Sequence, residues 1–556
     1  MILFGFFRQL FKSFSSKEWA FLGVSLVIFL TAFSLLAAKF VRENTQIVPV
    51  AGGNYIEGVV SQPSFINPIL AANDADRDLT ELAFDDLSEL AESYKMEDNG
   101  KKWRYRLKEG IFWHDGEKIT TDDIIFTVET IKNPDVYSPL YSNWQSIETS
   151  RVSERELEFK LPAPYVFFED TLKNLKPVPK HIFGNIPATN IKLSNYNFEP
   201  IGSGPFKFKS FSRRADGYIS SYVFEKNEAY QKFVYLKKIS FNFYTNEVET
   251  INAFNMGEVD GFGLANPENL GKIAFSHKVF PIRMLKYYAI FLNQLSHPAL
   301  KDKNVRLAMT MAIDKMEIIE KVFNGQAVLA AGPLVEGMEG FDKQVYSENV
   351  FSAEKANQIL ESMGWEWNNE ENVREGQIND EIVKLEFNLS VPEISFLIET
   401  ANLIKGQLAK IGVKINLSIA PISEINNKTI KNRDYQIILF GNILGDSPDL
   451  FSFWHSSGSF YPGLNLSLYG SKTADSLIET IRKDFDEQKK QSELSSLQYL
   501  IIGDYPAIFL YSPNYLYIGK KSFSGFEDSF ISFSSERLKS IENWYTKTAR
   551  SLKNRN

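Results

Sequence analysis

The sequence predicts an α/β protein of two or three domains set behind one membrane-spanning helix. Three observations predict it. The chain has 556 residues, 44% of them hydrophobic, enough for several cores of ordinary domain size. Segments with helical apolar spacing alternate with short β-branched strands through its second half, which is the order of an α/β lobe. A run of twenty uncharged residues, 19–38, stands near its beginning.

As a helix that run is about 30 Å long, the thickness of a bilayer's hydrocarbon core. The competing reading is a secretory signal peptide, whose apolar core is about 7 to 15 residues and whose cleavage site needs small residues. Leu35 and Leu36 occupy those positions, so an uncleaved transmembrane anchor is expected. Arg8, Lys12 and Lys17 precede the run, offset by Glu18, and Lys39, Arg42 and Glu43 follow it. This count favours a cytoplasmic segment 1–18 by a small margin. Residues 39–53, with Pro49 and Gly52-Gly53, read as a linker, and the folded body begins near Tyr55.

Residues 55–60 read as a buried strand, followed by loop signals at Gln62-Pro63 and Asn67-Pro68. In the block 107–131 (LKEGIFWHDGEKITTDDIIFTVETI), Ile111, Phe112 and Trp113 have strand bias and Asp115-Gly116 is a turn dipeptide. Thr120 then caps a helix from Thr121 with Asp123 three residues on, and Ile124, Ile125, Val128 and Ile131 follow at helical spacing. Strands are expected at 156–161, 218–226 and 238–244, and one helix at 305–324. Beyond it the spacing predicts helix 353–363, strand 384–390, helix 395–411 ended by Gly412, strand 413–417 and strand 435–440.

With 61 basic and 69 acidic residues, a net charge of −8, the main body has no electrostatic footprint for nucleic acid or an anionic membrane. The absence of cysteine excludes disulfides, Cys-based zinc sites and a thiol nucleophile. The five histidines, His114, His181, His277, His297 and His455, share no metal-binding helical spacing. His114-Asp115 reads as scaffold, because neighbours on a strand point to opposite faces. Gly202-Ser203-Gly204 lacks the third glycine, the lysine and the helix start of a phosphate loop, and no G-x-S-x-G elbow occurs. No enzyme, cofactor or metal is expected. The recognition surface is expected at 441–465 (GNILGDSPDLFSFWHSSGSFYPGLN), a loop rich in glycine, aromatics and short polar groups on the end of a strand.

Ordered motifs carry a resemblance. The block 107–131 is followed by GSGPFKF at 202–208, MGEVDG at 256–261, Phe291-Leu292-Asn293 with KDKNVR at 301–306 and AIDK at 312–315. AEKANQILESMGW, QLAKIGV, DYQIILFG leading to SPDLFSFW, and PAIFLYSPNYLY come after them. Nearly all of the chain after Gly53 resembles the family 5 extracellular solute-binding proteins, the oligopeptide- and dipeptide-binding subunits of ABC importers. The resemblance implies a bilobal fold like that of type II periplasmic binding proteins, with an extra small domain. On the family's route, lobe I takes residues 54–78, 197–290 and 505–550, the small domain 79–196, and the other large lobe 291–504.

The function implied is an extracytoplasmic receptor that binds peptides and hands them to a permease with cytoplasmic ATPases. In peptide-binding relatives a loop aspartate pairs with the ligand's α-ammonium. Asp446 and Asp449 are available for that role, with Trp454 as a cleft wall and His455, Tyr461, Asn465 and Asn293 as further ligand contacts. A monomer on the cell membrane, its body on the extracytoplasmic side, is expected. The chain departs from relatives in lacking the lipid-modified cysteine and in running almost directly from Asp85-Asp86-Leu87 into LAESY, where a hairpin usually helps join the first two domains. The alternatives are a receptor of this fold for a non-peptide solute, and an envelope scaffold or chaperone without a transported ligand.

Overall fold

The computed structural model describes residues 14–346, 351–527 and 529–553. Arg8 and Lys12, counted above for orientation, lie outside them. The apolar run is the centre of one helix, Ser16–Asn44, opened by a capping box between Ser15 and Glu18. None of its residues is buried against the body.

The expected linker 39–53 is structured throughout. The helix carries it to Asn44, and strand Thr45–Pro49 then pairs antiparallel with Thr548–Leu552 near the other end of the chain. Val50 donates to Lys547, Gly52 to Tyr235, and Gly53 accepts from Lys237, so hydrogen bonding continues into the first body strand, Asn54–Val60. The β-branched Thr45, Ile47 and Val48 favour strand, but their partner lies some 500 residues away, beyond the reach of local reading.

The first lobe is built on a seven-stranded mixed sheet in the order His277–Ile282, Tyr515–Lys520, Gly261–Leu264, Asn54–Val60, Lys238–Tyr244, Ile219–Lys226, Phe206–Arg213. The small domain has a four-stranded antiparallel sheet, Ala91–Glu97, Lys102–Leu107, Glu156–Lys160 and Glu148–Arg151, with helix Thr121–Lys132. That helix begins where the capping pattern predicts, Thr120 N–H donating to Asp123 at 2.9 Å. The strand expected at Ile111–Trp113 is only a single bridge, Phe112 to Lys118, closed by the turn at Gly116.

Leu87, Leu90, Trp103, Trp113, Phe206 and Phe224 belong to one core continuous between the first lobe and the small domain. The junction needs no extra hairpin. Helix Leu87–Leu90 passes straight into strand Ala91–Glu97, and the GSG segment runs against helix Asp74–Ala83 so closely that a Cβ on Gly202 would lie 1.8 Å from Ala83 O. His114 clasps the same segment, accepting from Gly202 N–H at Nδ1 and donating from Nε2 to Gly204 O.

The second lobe has a six-stranded sheet in the order Ala327–Leu329, Ala507–Pro513, Lys286–Leu292, Ile437–Ile443, Glu386–Pro392, Lys414–Ala420. Strand Lys286–Leu292 shows the period of two: Ile290 and Leu292 face one core, and Tyr287, Ala289 and Phe291 face the other. Because Lys286–Leu292 and Ala507–Pro513 are whole strands of this sheet, the chain crosses between lobes near 283–285 and at Asn514, not at 290 and 505. Ile531 braces the first crossing, exchanging hydrogen bonds with Arg283 and Leu285. The helix expected at 305–324 is two helices, Lys303–Met311 and Lys315–Phe323. Asp314 ends the continuity by capping the second through Glu317 N–H.

Candidate functional site

The crossings leave a cavity of about 540 Å³ between the lobes. Its first-lobe wall is the outer end of strand Asn54–Val60 with Gly263 and Leu264, and its second-lobe wall is Lys286, Tyr288, Phe396 and Ile443. The segment 532–534 and Tyr515 close it between them.

Charged groups line this space, and most are already committed. Arg537 is buried, its Nη2 lying 2.7 Å from Glu57 and 2.6 Å from Asp78. Tyr517 donates to the second oxygen of Glu57 at 2.6 Å, and Tyr55 bonds Tyr517. Burial pushes the Glu57 and Asp78 carboxyls up, with the guanidinium opposing, and the two carboxylates together hold Arg537 protonated. Asp74 pairs with Arg77 at 3.2 Å. Glu247 accepts from the backbone of Ala265 and Asn266 and from the side chains of Asn266 and Asn269.

Lys286 is different. It makes no ion pair with a described carboxylate, and its ammonium stands over the Tyr288 ring, 5.9 Å from the centroid. Desolvation pulls its pKa down, and the Asp74 carboxylate across the cavity opposes this. A desolvated ammonium with no direct ion-pair partner favours an incoming anionic group.

A second space of about 250 Å³ shares Ser532 and Phe533 with the first. Asp446 lines it, opposite Glu536 and Lys539. Asp446 is exposed and makes no hydrogen bond or ion pair with a described residue, so of the residues expected in the loop 441–465 it is the one with its carboxylate uncommitted beside the interlobe space.

The other expected contacts are held elsewhere. Trp454 is fully buried among Phe291, Tyr469 and Phe509, so it is core and not a cleft wall. Asp449 accepts from Tyr165 of the small domain and from Phe451 N–H, and Arg482 lies 3.2 Å away, making it an interdomain tie. His455 is buried against Ser457 and stacks on Phe451. Asn465 is buried, bonded to His455 O and to both backbone groups of Tyr469. Asn293 closes a turn, bonding Tyr435 O and Leu295 N–H. Tyr461 is exposed beneath Lys431, and it lines neither interlobe space.

Sequence reading missed Lys286, Glu57, Asp78 and Arg537. Glu57 and Lys286 did leave a signal, each being a charge set in an otherwise apolar strand, where burial demands a partner or a use. Asp78 and Arg537 left none.

A bilobal body joined by crossing strands, with uncommitted charge in the gap, is the architecture of a solute-binding protein. Residues 88–462 match the profile of the bacterial extracellular solute-binding proteins, family 5, middle part. The chain belongs to this family. The family 5 protein is 26% identical over 485 residues to the oligopeptide-binding protein AppA of Bacillus subtilis, 84% of this chain and 87% of that one. The structure of that AppA in complex with a nonapeptide superposes with a TM-score of 0.71 at 25% identity, over 90% of this chain and 99% of the other. The substrate-binding protein CtaP of Listeria monocytogenes has the same fold, with a TM-score of 0.76 at 24% identity and coverage of 89% and 100%. So does NikZ of Campylobacter jejuni in complex with Ni(L-His), with a TM-score of 0.71 at 22% identity and coverage of 88% and 99%. The kinship of this family 5 protein is with binding proteins of ABC importers and not with enzymes.

Proposed function

We propose that this family 5 protein is a membrane-anchored extracytoplasmic receptor that binds peptides between its lobes and delivers them to an ABC import permease driven by cytoplasmic ATPases. The observation that carries this reading is the pair of uncommitted charges, Lys286 and Asp446, in the two adjoining halves of the interlobe space. A peptide brings a carboxylate for the first and an ammonium for the second, and its backbone amides can meet strand-like main chain whatever its side chains are. A ligand held by Lys286 also meets the first-lobe wall at Gly263 and Leu264, so binding favours the closed arrangement over the open one, and the closed form is what a permease would select. The nonapeptide held by the Bacillus relative supports a peptide ligand. The apolar helix Ser16–Asn44 is long enough to span a bilayer, which supports an anchor, and the basic residues before it support residues 1–18 on the cytoplasmic side. A monomer suffices for this role.

Native mass spectrometry of the detergent-extracted protein tests the reading. Co-purifying mixed peptides are the expected result. A metal chelate, as in the Campylobacter relative, would replace peptide with a non-peptide solute in this reading. An empty protein with no thermal shift on peptide addition would overturn the receptor function in favour of an envelope scaffold.

A further inference from the structure

The helix Ser16–Asn44 and the ribbon it enters place a basic cluster beside the apolar span. Lys39 and Arg42 lie on the last turns of the helix, and Arg550 and Lys553 come from the opposite end of the chain, where Lys553 N–H donates to Asn44 O at 2.8 Å. Over 39–53 and 545–553 the basic residues are Lys39, Arg42, Lys547, Arg550 and Lys553, and the one acid is Glu43, although the whole chain carries −8.

Register adds an apolar component. Ile47 lies opposite Arg550 and Thr45 opposite Leu552, so Ile47, Leu552 and Arg550 share one face of the ribbon. Ile47 is 64% exposed and Leu552 67%. From Lys39 to Asn44 the helix rises about 7.5 Å, comparable with the thickness of one headgroup layer. The ribbon therefore starts where lipid headgroups meet water.

We propose that the base of this ribbon is a docking site for anionic phospholipid headgroups, with Lys39, Arg42, Arg550 and Lys553 holding phosphates and Ile47 and Leu552 packing among the headgroups. The partner follows from continuity with the apolar span and from charge: an acidic body is repelled by an anionic surface, and this basic patch is attracted to it. Because hydrogen bonding runs unbroken from Asn44 through Val50 and Gly53 into the first lobe, docking at the base sets the height and tilt of the whole body. The site rests on the anchor reading above.

The chain has no cysteine, so Leu552→Cys takes a single environment-sensitive fluorophore. Full-length protein is placed in nanodiscs of phosphatidylcholine with or without phosphatidylglycerol. The expected result is blue-shifted emission and quenching by spin-labelled headgroups in the anionic discs. Both effects should fall several-fold in pure phosphatidylcholine, in high salt, and in the variant carrying Arg550→Gln and Lys553→Gln, since each basic group near an anionic surface is worth about five-fold. Arg550→Lys, which keeps the charge and loses the bond to Thr45, should retain the response. A probe at Leu193→Cys, on the small domain, should stay insensitive. Equal responses at Leu552→Cys in the two kinds of disc would overturn the site. Intact mass separates the two failures: loss of residues before Lys39 overturns the anchor, whereas a full-length protein with an unresponsive probe overturns only the lipid site.

Discussion

Tyr165 of the small domain donates its phenolic hydrogen bond to Asp449 of the second lobe at 2.8 Å. Arg482 lies 3.2 Å from the same carboxylate, stacks over the Tyr165 ring at 4.8 Å, and accepts Val166 N–H at its carbonyl. The second lobe is thus held at its crossing strands and also at a contact with the small domain. Any opening of the cleft has to act against that second tie.

Tyr165→Phe removes the bond and keeps the ring stack. It should weaken the interdomain contact by about 1.5 to 3 kcal/mol, the usual net worth of a hydrogen bond to a charged group. Hydrogen exchange at Val166 N–H should rise about ten-fold or more while the sheet amides of both lobes stay protected, and unchanged exchange would show that the contact is idle.

Arg537 neutralises two buried carboxylates at once. Arg537→Met leaves Glu57 and Asp78 buried without a counter-charge and should cost about 3 to 5 kcal/mol of stability in urea unfolding. Adding Glu57→Gln and Asp78→Asn should recover most of the loss. A single variant as stable as wild type would contradict the network.

Two groups at the junction of lobe and small domain should tilt stability with pH in one direction, and one in the other. Burial raises Glu81 from 4.5 to about 7 and Asp85 from 3.8 to about 6. Between those values the folded chain holds more protons than the unfolded one, so their contribution is full at the acid end and is lost as pH rises towards about 7. Burial lowers His114 from 6.5 to about 4, so its contribution is present above 6.5 and is lost as pH falls through about 4. Urea unfolding of Glu81→Gln across pH 4.5 to 7 should show stability rising with pH more than in wild type. His114→Gln should be less stable overall and should show the opposite change in slope. Parallel profiles for all three proteins would refute these assignments.

Lys286→Gln should weaken a free-acid peptide about ten-fold and leave its C-terminal amide unchanged, the loss expected for one charge-assisted bond. Asp446→Asn should likewise weaken free-amine peptides and spare N-acetylated ones. Isothermal titration with the four end-group combinations separates the two, and equal losses for every peptide would refute both roles.

The sequence by itself determined what depends on neighbours along the chain. The apolar run is long enough to span a bilayer, Thr120 and Asp123 start a helix, Gly412 follows one, and strand Lys238–Tyr244 alternates as its residues require. Its ordered motifs also marked the family. Tertiary structure decided everything that needs partners from distant segments. Trp454 has the composition of a cleft wall and is core, because Phe291 and Phe509 arrive on adjacent strands to cover it. Asp449 and Asp446 are three residues apart and chemically alike, yet one is consumed by Tyr165 and Arg482 and the other faces open space. Lys286 reads as a charge in an apolar strand, and only the crossing strands show that it stands in the gap between lobes. Local propensity is a property of a few consecutive residues, whereas whether a charge is spent or available depends on what folding brings within about 4 Å of it.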